Sequence, residues 1–123
     1  MTIVQLKDLE RRLAEAKGPS TDLDKKIFVT IDVGFDARVT GHAFTASLDA
    51  AVSMVGRVLW GRGLLIGKGR CRPNEPLWGV QILASDENED QREMPVIAEA
   101  EHDTAALALC LACVRALIAQ GEK

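Results

Sequence analysis

Residues 104–119, TAALALCLACVRALIA, decide the fold. Only Thr104 and Arg115 in this stretch are not apolar, and it holds neither Pro nor Gly. Ala and Leu are strong helix formers, so the stretch predicts a helix. A helix that is apolar on nearly every face is buried on nearly every face. It is too short to cross a bilayer, which takes about 20 apolar residues. The expectation is therefore a central helix inside a small domain, with Asp103 as its N-cap and Gly121 at C′.

Working outward, the rest of the chain must supply the layers that cover this helix. Its 123 residues suffice for a single domain over 1–123 with a modest core. Aromatic residues make up only 4% of it, so that core must be mostly aliphatic. Residues 2–17 read as an amphipathic helix whose apolar face carries Val4, Leu6, Leu9, Leu13 and Ala16. Gly18-Pro19 stops it. Residues 20–33 satisfy two periods. Leu23, Ile27 and Ile31 are four apart, as in a helix, while Ile27, Val29, Ile31 and Val33 alternate as in a strand. The reading favours a short helix that frays or converts near Phe28. A loop over 34–44 leads to a helix capped by Thr45 or Ser47, with Leu48, Val52, Val55 and Leu59 at helical spacing. The pattern then changes to strands over 61–70 and 77–84, joined by the turn-forming RPNEP, and a third over 94–100. An acidic loop, SDENEDQRE, fills 85–93. The sum is an α+β fold, a small antiparallel sheet packed between helices as an αβα sandwich.

Three pieces in this order resemble the small phage and prophage proteins of the phage ABA sandwich domain family. They are GPSTDLDKKI after the first helix, FTASLDAAVSMV after the loop, and the closing TAALALCLACVRALIA. Trp60-Gly61 and Trp78-Gly79 lie between the last two pieces. The resemblance spans roughly residues 6–118. It implies a sheet sandwiched between helices and a phage or prophage origin. It carries over no functional residues. The chain departs from the family in its longer 34–44 loop and its acidic loop.

Composition narrows the functions. A net charge of −3 gives no overall pull toward nucleic acid or membrane. Three cysteines, two of them inside the apolar helix, argue against a disulfide scaffold and for a reducing compartment. The N-terminus lacks the layout of a signal peptide. The expected location is the host-cell cytoplasm.

Candidate chemistry is sparse. Cys110 and Cys113 form a CxxC, but mid-helix in an Ala/Leu setting rather than exposed at a helix N-terminus, so they read as core. His42 and His102 sit in no nucleophile or metal motif. Gly67-Lys68-Gly69 lacks the following Ser or Thr and the helix of a phosphate loop. No cofactor or metal is expected. Charge, however, is polarised. Arg57, Arg62, Lys68, Arg70 and Arg72 fall in a segment free of acidic residues. Segment 86–103 sets eight acidic residues against Arg92 alone. The candidate binding face is therefore the basic five, with Gly67, Gly69 and Cys71 turned against a neighbouring layer. The candidate acidic face is Asp86, Glu87, Glu89, Asp90 and Glu93, suited to a basic partner.

The leading expectation is a phage accessory protein, non-catalytic, that binds another protein of phage or host. One alternative is a nucleic-acid-binding module using residues 57–72. The other is a small enzyme with a loop-based site near His42. An exposed sheet edge could also pair copies of the chain.

Overall fold

A computed structural model describes residues 3–18, 20–31, 44–59, 63–69, 77–83 and 96–121, with backbone only at 28, 29, 68, 69 and 77. The elements are α1 (Ile3–Glu15), α2 (Thr21–Ile31), α3 (Leu48–Val58), β1 (Gly63–Gly69), β2 (Leu77–Leu83), β3 (Val96–His102) and α4 (Ala105–Gly121). The strands form one antiparallel sheet in the order β1-β2-β3. The fold is α+β, as expected, and the C-terminal helix is its centre.

α4 is buried at every position from Ala106 to Val114. The sheet, chiefly β2 and β3, packs on one side of it, and α1 and α3 pack on the others. Among the described elements, α4 rather than the sheet is thus the middle layer. The two exceptions to its apolar sequence have separate uses. Thr104 is the N-cap: its Oγ1 accepts from the Leu107 amide at 3.2 Å and its carbonyl from the Ala108 amide. Asp103, the expected cap, instead donates its amide to His102 Nδ1 at 2.8 Å. Arg115 reaches the sheet edge, as described below. Gly121 is the last helical residue rather than a C′ residue. A Cβ there would lie 2.6 Å from Ile3 Cδ1, the end of a side chain that can turn aside, so α1 packs close to this position.

α1 buries Leu6, Leu9 and Leu13, with Ile3 and Ala16 packed at its ends. Val4, expected on this face, is 78% exposed. It stands two residues from Leu6, about 200° around a helix of 3.6 residues per turn. On the solvent side Asp8 accepts from Arg11 (2.7 Å) and Arg12 (3.0 Å) and pairs with Lys26 of α2 at 3.2 Å. Arg11, then Lys26, hold its carboxyl down from 3.8 to about 2. A carboxyl depressed on folding stabilises the fold above its ordinary value and loses that contribution as pH falls through its folded one. Asp8→Asn should therefore lose less stability than wild type between pH 3.8 and about 2. Urea melts across that window would show two parallel losses if the cluster carried no weight.

α2 settles the ambiguous segment as helix through Ile31, with Ile27 and Ile31 both in the core; residues 32–33 lie outside the described residues. Ser20 caps it, Oγ accepting from the Leu23 amide at 3.3 Å. Inside this corner Asp24 Oδ1 accepts from both the amide and the hydroxyl of Thr45, each at 2.8 Å. The Thr45 hydroxyl also accepts from the Ser20 amide at 2.9 Å. The network, buried around Asp24 and Thr45, ties the start of α2 to the chain entering α3. Ser47 then caps α3, accepting from the Ala50 amide.

α3 turns Ala51, Met54, Val55 and Leu59 inward. Leu48 and Val52, expected on the inner face with Val55 and Leu59, are more than a third exposed. Two apolar stripes at helical spacing compete along this helix. The Asp24–Thr45 tie just ahead of its first turn fixes which one faces the core.

Candidate binding surface

The sheet's two faces differ in a way that strand alternation dictates. Toward α4 point Val80, Ile82, Ala100 and His102, all buried, with Leu64, Ile66, Trp78 and Ala98 packed beside them. His102 is fully committed there. Nε2 lies 2.9 Å from the Leu13 carbonyl, which can only accept, and Nδ1 accepts from the Asp103 amide. One neutral tautomer satisfies both bonds, and the ring serves as a tie between α1 and the β3–α4 junction.

At one end of the opposite face the row Gly63–Leu83–Val96 buries Leu83, and two further rows lie beyond it. One is Leu65–Gln81–Glu99, the other Gly67–Gly79–Glu101. Gly67 is exposed, not turned against a layer as the sequence reading expected, and Leu65 is 39% exposed. The paired glycines remove two side chains from one row and leave an open concavity of about 640 Å³ beside the other. A Cβ on Gly67 would meet nothing within 4 Å, and one on Gly79 only the Gly67 carbonyl oxygen at 3.8 Å. The trough therefore has a peptide floor, an apolar wall at Leu65 and carboxylates at the β3 end. Gln81 Nε2 stands 3.5 Å from Glu99 Oε2, at the outer limit of a hydrogen bond.

Arg115 closes the β3 edge. It reaches from α4, with Nη1 donating to the Glu99 carbonyl at 3.0 Å and Nε to Glu10 Oε1 of α1 at 3.1 Å. An edge strand presents unpaired backbone groups that invite another strand. Here a guanidinium occupies the outward carbonyl midway along β3, and its charge is met by Glu10.

The cysteine pair lies inside the core. Burial pushes the Cys113 thiol up to about 12 and Cys110 well above the ordinary value, Cys110 with smaller contributions from Cys113 and Asp24. The Cys110 thiol donates to the Phe44 carbonyl at 3.2 Å. Protonated thiols are poor nucleophiles and poor metal ligands. Among the described residues, no three His, Cys, Asp or Glu side chains gather in a way that could hold a metal ion. No helix among them is long and apolar enough to cross a membrane.

Of the basic candidates, Arg57 is exposed on the last turn of α3, away from the trough. Lys68 occupies the β1 position opposite Trp78. Arg62, Arg70 and Arg72 lie outside the described residues, as do His42 and the acidic candidates Asp86, Glu87, Glu89, Asp90 and Glu93. What the fold does bring together is Glu99, Glu101, Gln81, Leu65 and the two glycines. Their signal in sequence was faint: alternating Glu99 and Glu101 in a strand, and glycines in each of two strands at positions that pair only once the register is known.

No protein-family model, curated protein or solved structure matches the chain.

Proposed function

We propose that this chain is a phage- or prophage-encoded accessory protein that acts by binding another protein, and that it docks through the sheet face opposite α4. The family resemblance supports the origin. One observation carries the docking assignment. Both sides of α4 are spent on the core, while the far face of the sheet is concave, polar-rimmed and exposed at Leu65 and Gly67. The described chemistry supports binding rather than catalysis, because His102 and Cys110 are engaged in structural hydrogen bonds and Cys113 is buried in the core with its thiol held protonated. Carboxylates on that face disfavour a nucleic-acid backbone there.

Gly67→Trp tests the reading. The position has space for a side chain, so the variant should fold while its indole fills the trough. Affinity capture from infected cells should yield a protein retained by wild type and lost by Gly67→Trp at an unchanged melting temperature. Equal retention by both would remove this face from the interface.

A further inference from the structure

We propose that the groove between α1 and α2 is a second docking site, separate from the sheet face, and that it takes a short acidic segment of a protein partner with an apolar side chain against Val4.

Spacing along the two helices builds the groove. Val4 and Asp8 are four apart on α1, and Lys26 and Thr30 are four apart on α2, so each pair shares one helix face. The Asp8–Lys26 ion pair, at 3.2 Å, brings those two faces together. They leave an open concavity of about 660 Å³, with Lys25 also lining it. None of its residues lines the trough on the sheet. Val4 forms an apolar wall on the α1 side and is 78% exposed, while Leu6, Leu9 and Leu13 turn away into the core. A lone exposed valine needs no explanation. One that borders a charged concavity gives a guest an apolar anchor beside its ionic contacts.

Charge decides which guest. The single carboxylate of Asp8 meets three cations, Arg11, Arg12 and Lys26, and cannot neutralise them all. Glu15, 3.8 Å from Arg11, is the other carboxylate paired with this cluster. Lys25 is exposed and makes no ion pair among the described residues. Four cations thus stand against two carboxylates, and Asp22, one turn back on α2, still leaves an excess. The Asp8 carboxyl, held down to about 2, registers the same field. At physiological salt such a field reaches about 8 Å. A short acidic segment in the groove meets this local excess, whereas a long nucleic acid also meets the chain's overall −3. The Val4 wall favours a peptide as well, because a phosphate backbone offers it nothing apolar.

The test uses the full chain, ¹⁵N-labelled, titrated with a short blocked peptide of glutamates and leucines. Control arms are the same peptide with lysines in place of the glutamates and a single-stranded oligothymidylate. The acidic peptide should shift the amides of Val4, Lys25 and Thr30 saturably, and added NaCl should weaken its binding. Lys25→Glu should weaken it about tenfold, one exposed pair lost and a repulsion of similar size gained. Val4→Ser should weaken it about fivefold, the effect of covering roughly half a valine side chain. Both positions are exposed, so both variants should keep the wild-type melting temperature. Gly67→Trp should bind the peptide as wild type does. An acidic peptide that leaves these amides unmoved, equal binding by Lys25→Glu or Val4→Ser, or shifts caused by the lysine peptide or the oligothymidylate would each overturn the inference. Peptide binding lost in Gly67→Trp would place the peptide in the trough and overturn it too.

Discussion

Leu111→Ala is expected to destabilise the fold by about 2–5 kcal/mol, the usual result of truncating a large core side chain. Leu111 is 2% exposed midway along α4, within the run that is buried at every position. The sheet and two helices meet on α4, so no neighbour can collapse inward without disturbing another layer. At this chain length each kcal/mol moves the melting temperature by roughly 3–5 °C, which makes the expected fall roughly 6–25 °C. A melting temperature within about two or three degrees of wild type would mean that α4 is not the shared layer.

Asp24→Ala should cost about 2–3 kcal/mol, although it removes no apolar surface of consequence. The substitution takes away the acceptor for the Thr45 amide and hydroxyl. The hydroxyl has another acceptor in the Ser20 carbonyl at 3.2 Å, so the lasting loss is the buried amide, left without a partner, and one charge-assisted bond. Asp24→Asn keeps a carbonyl oxygen at the same place and should lose clearly less. Denaturant melts of the two variants separate the explanations. If Asn and Ala lose the same amount, the negative charge is the important property. If neither loses anything, the Thr45 tie does not set the path into α3.

These two residues show what could and could not be read from the sequence. α4 was legible because nearly all its side chains agree: no orientation of that helix leaves a polar face, so its burial needs no knowledge of its neighbours. The helical reading of 20–33 rested on Leu23, Ile27 and Ile31; Ile27 and Ile31 reach the core, and the helix continues to Ile31 without the fraying or conversion expected near Phe28. Where two readings were locally equivalent, long-range contacts decided. α3 has two apolar stripes, and the Asp24–Thr45 bonds, 21 residues apart in sequence, select the one through Met54. Asp103 and Thr104 are both good caps; the Thr104 hydroxyl takes the Leu107 amide, and Asp103 lies outside the helix with its own amide on the buried ring of His102. Arg115 looked like a blemish in an apolar helix; its partners, Glu10 and Glu99, are 105 and 16 residues away. The trough was hidden for the same reason. Gly67 and Gly79 form a floor only because β1 and β2 pair in that register, and nothing local says which face of a strand a glycine opens.

Among the described residues α4 is sealed between layers, while the far face of the sheet is exposed at Leu65 and Gly67, where we propose that a partner docks. Thiol labelling of a Gly67→Cys, Cys71→Ser variant probes both halves of that arrangement at once. In the native protein the thiol introduced at position 67 should react with iodoacetamide at nearly the rate of a free thiol. Cys110 and Cys113 should stay unlabelled until guanidinium unfolds the chain, because burial and raised thiol pKa values protect them. A protected thiol at position 67 would mean that the sheet face is covered. Either α4 cysteine labelled in the folded protein at a comparable rate would mean that the helix is not sealed.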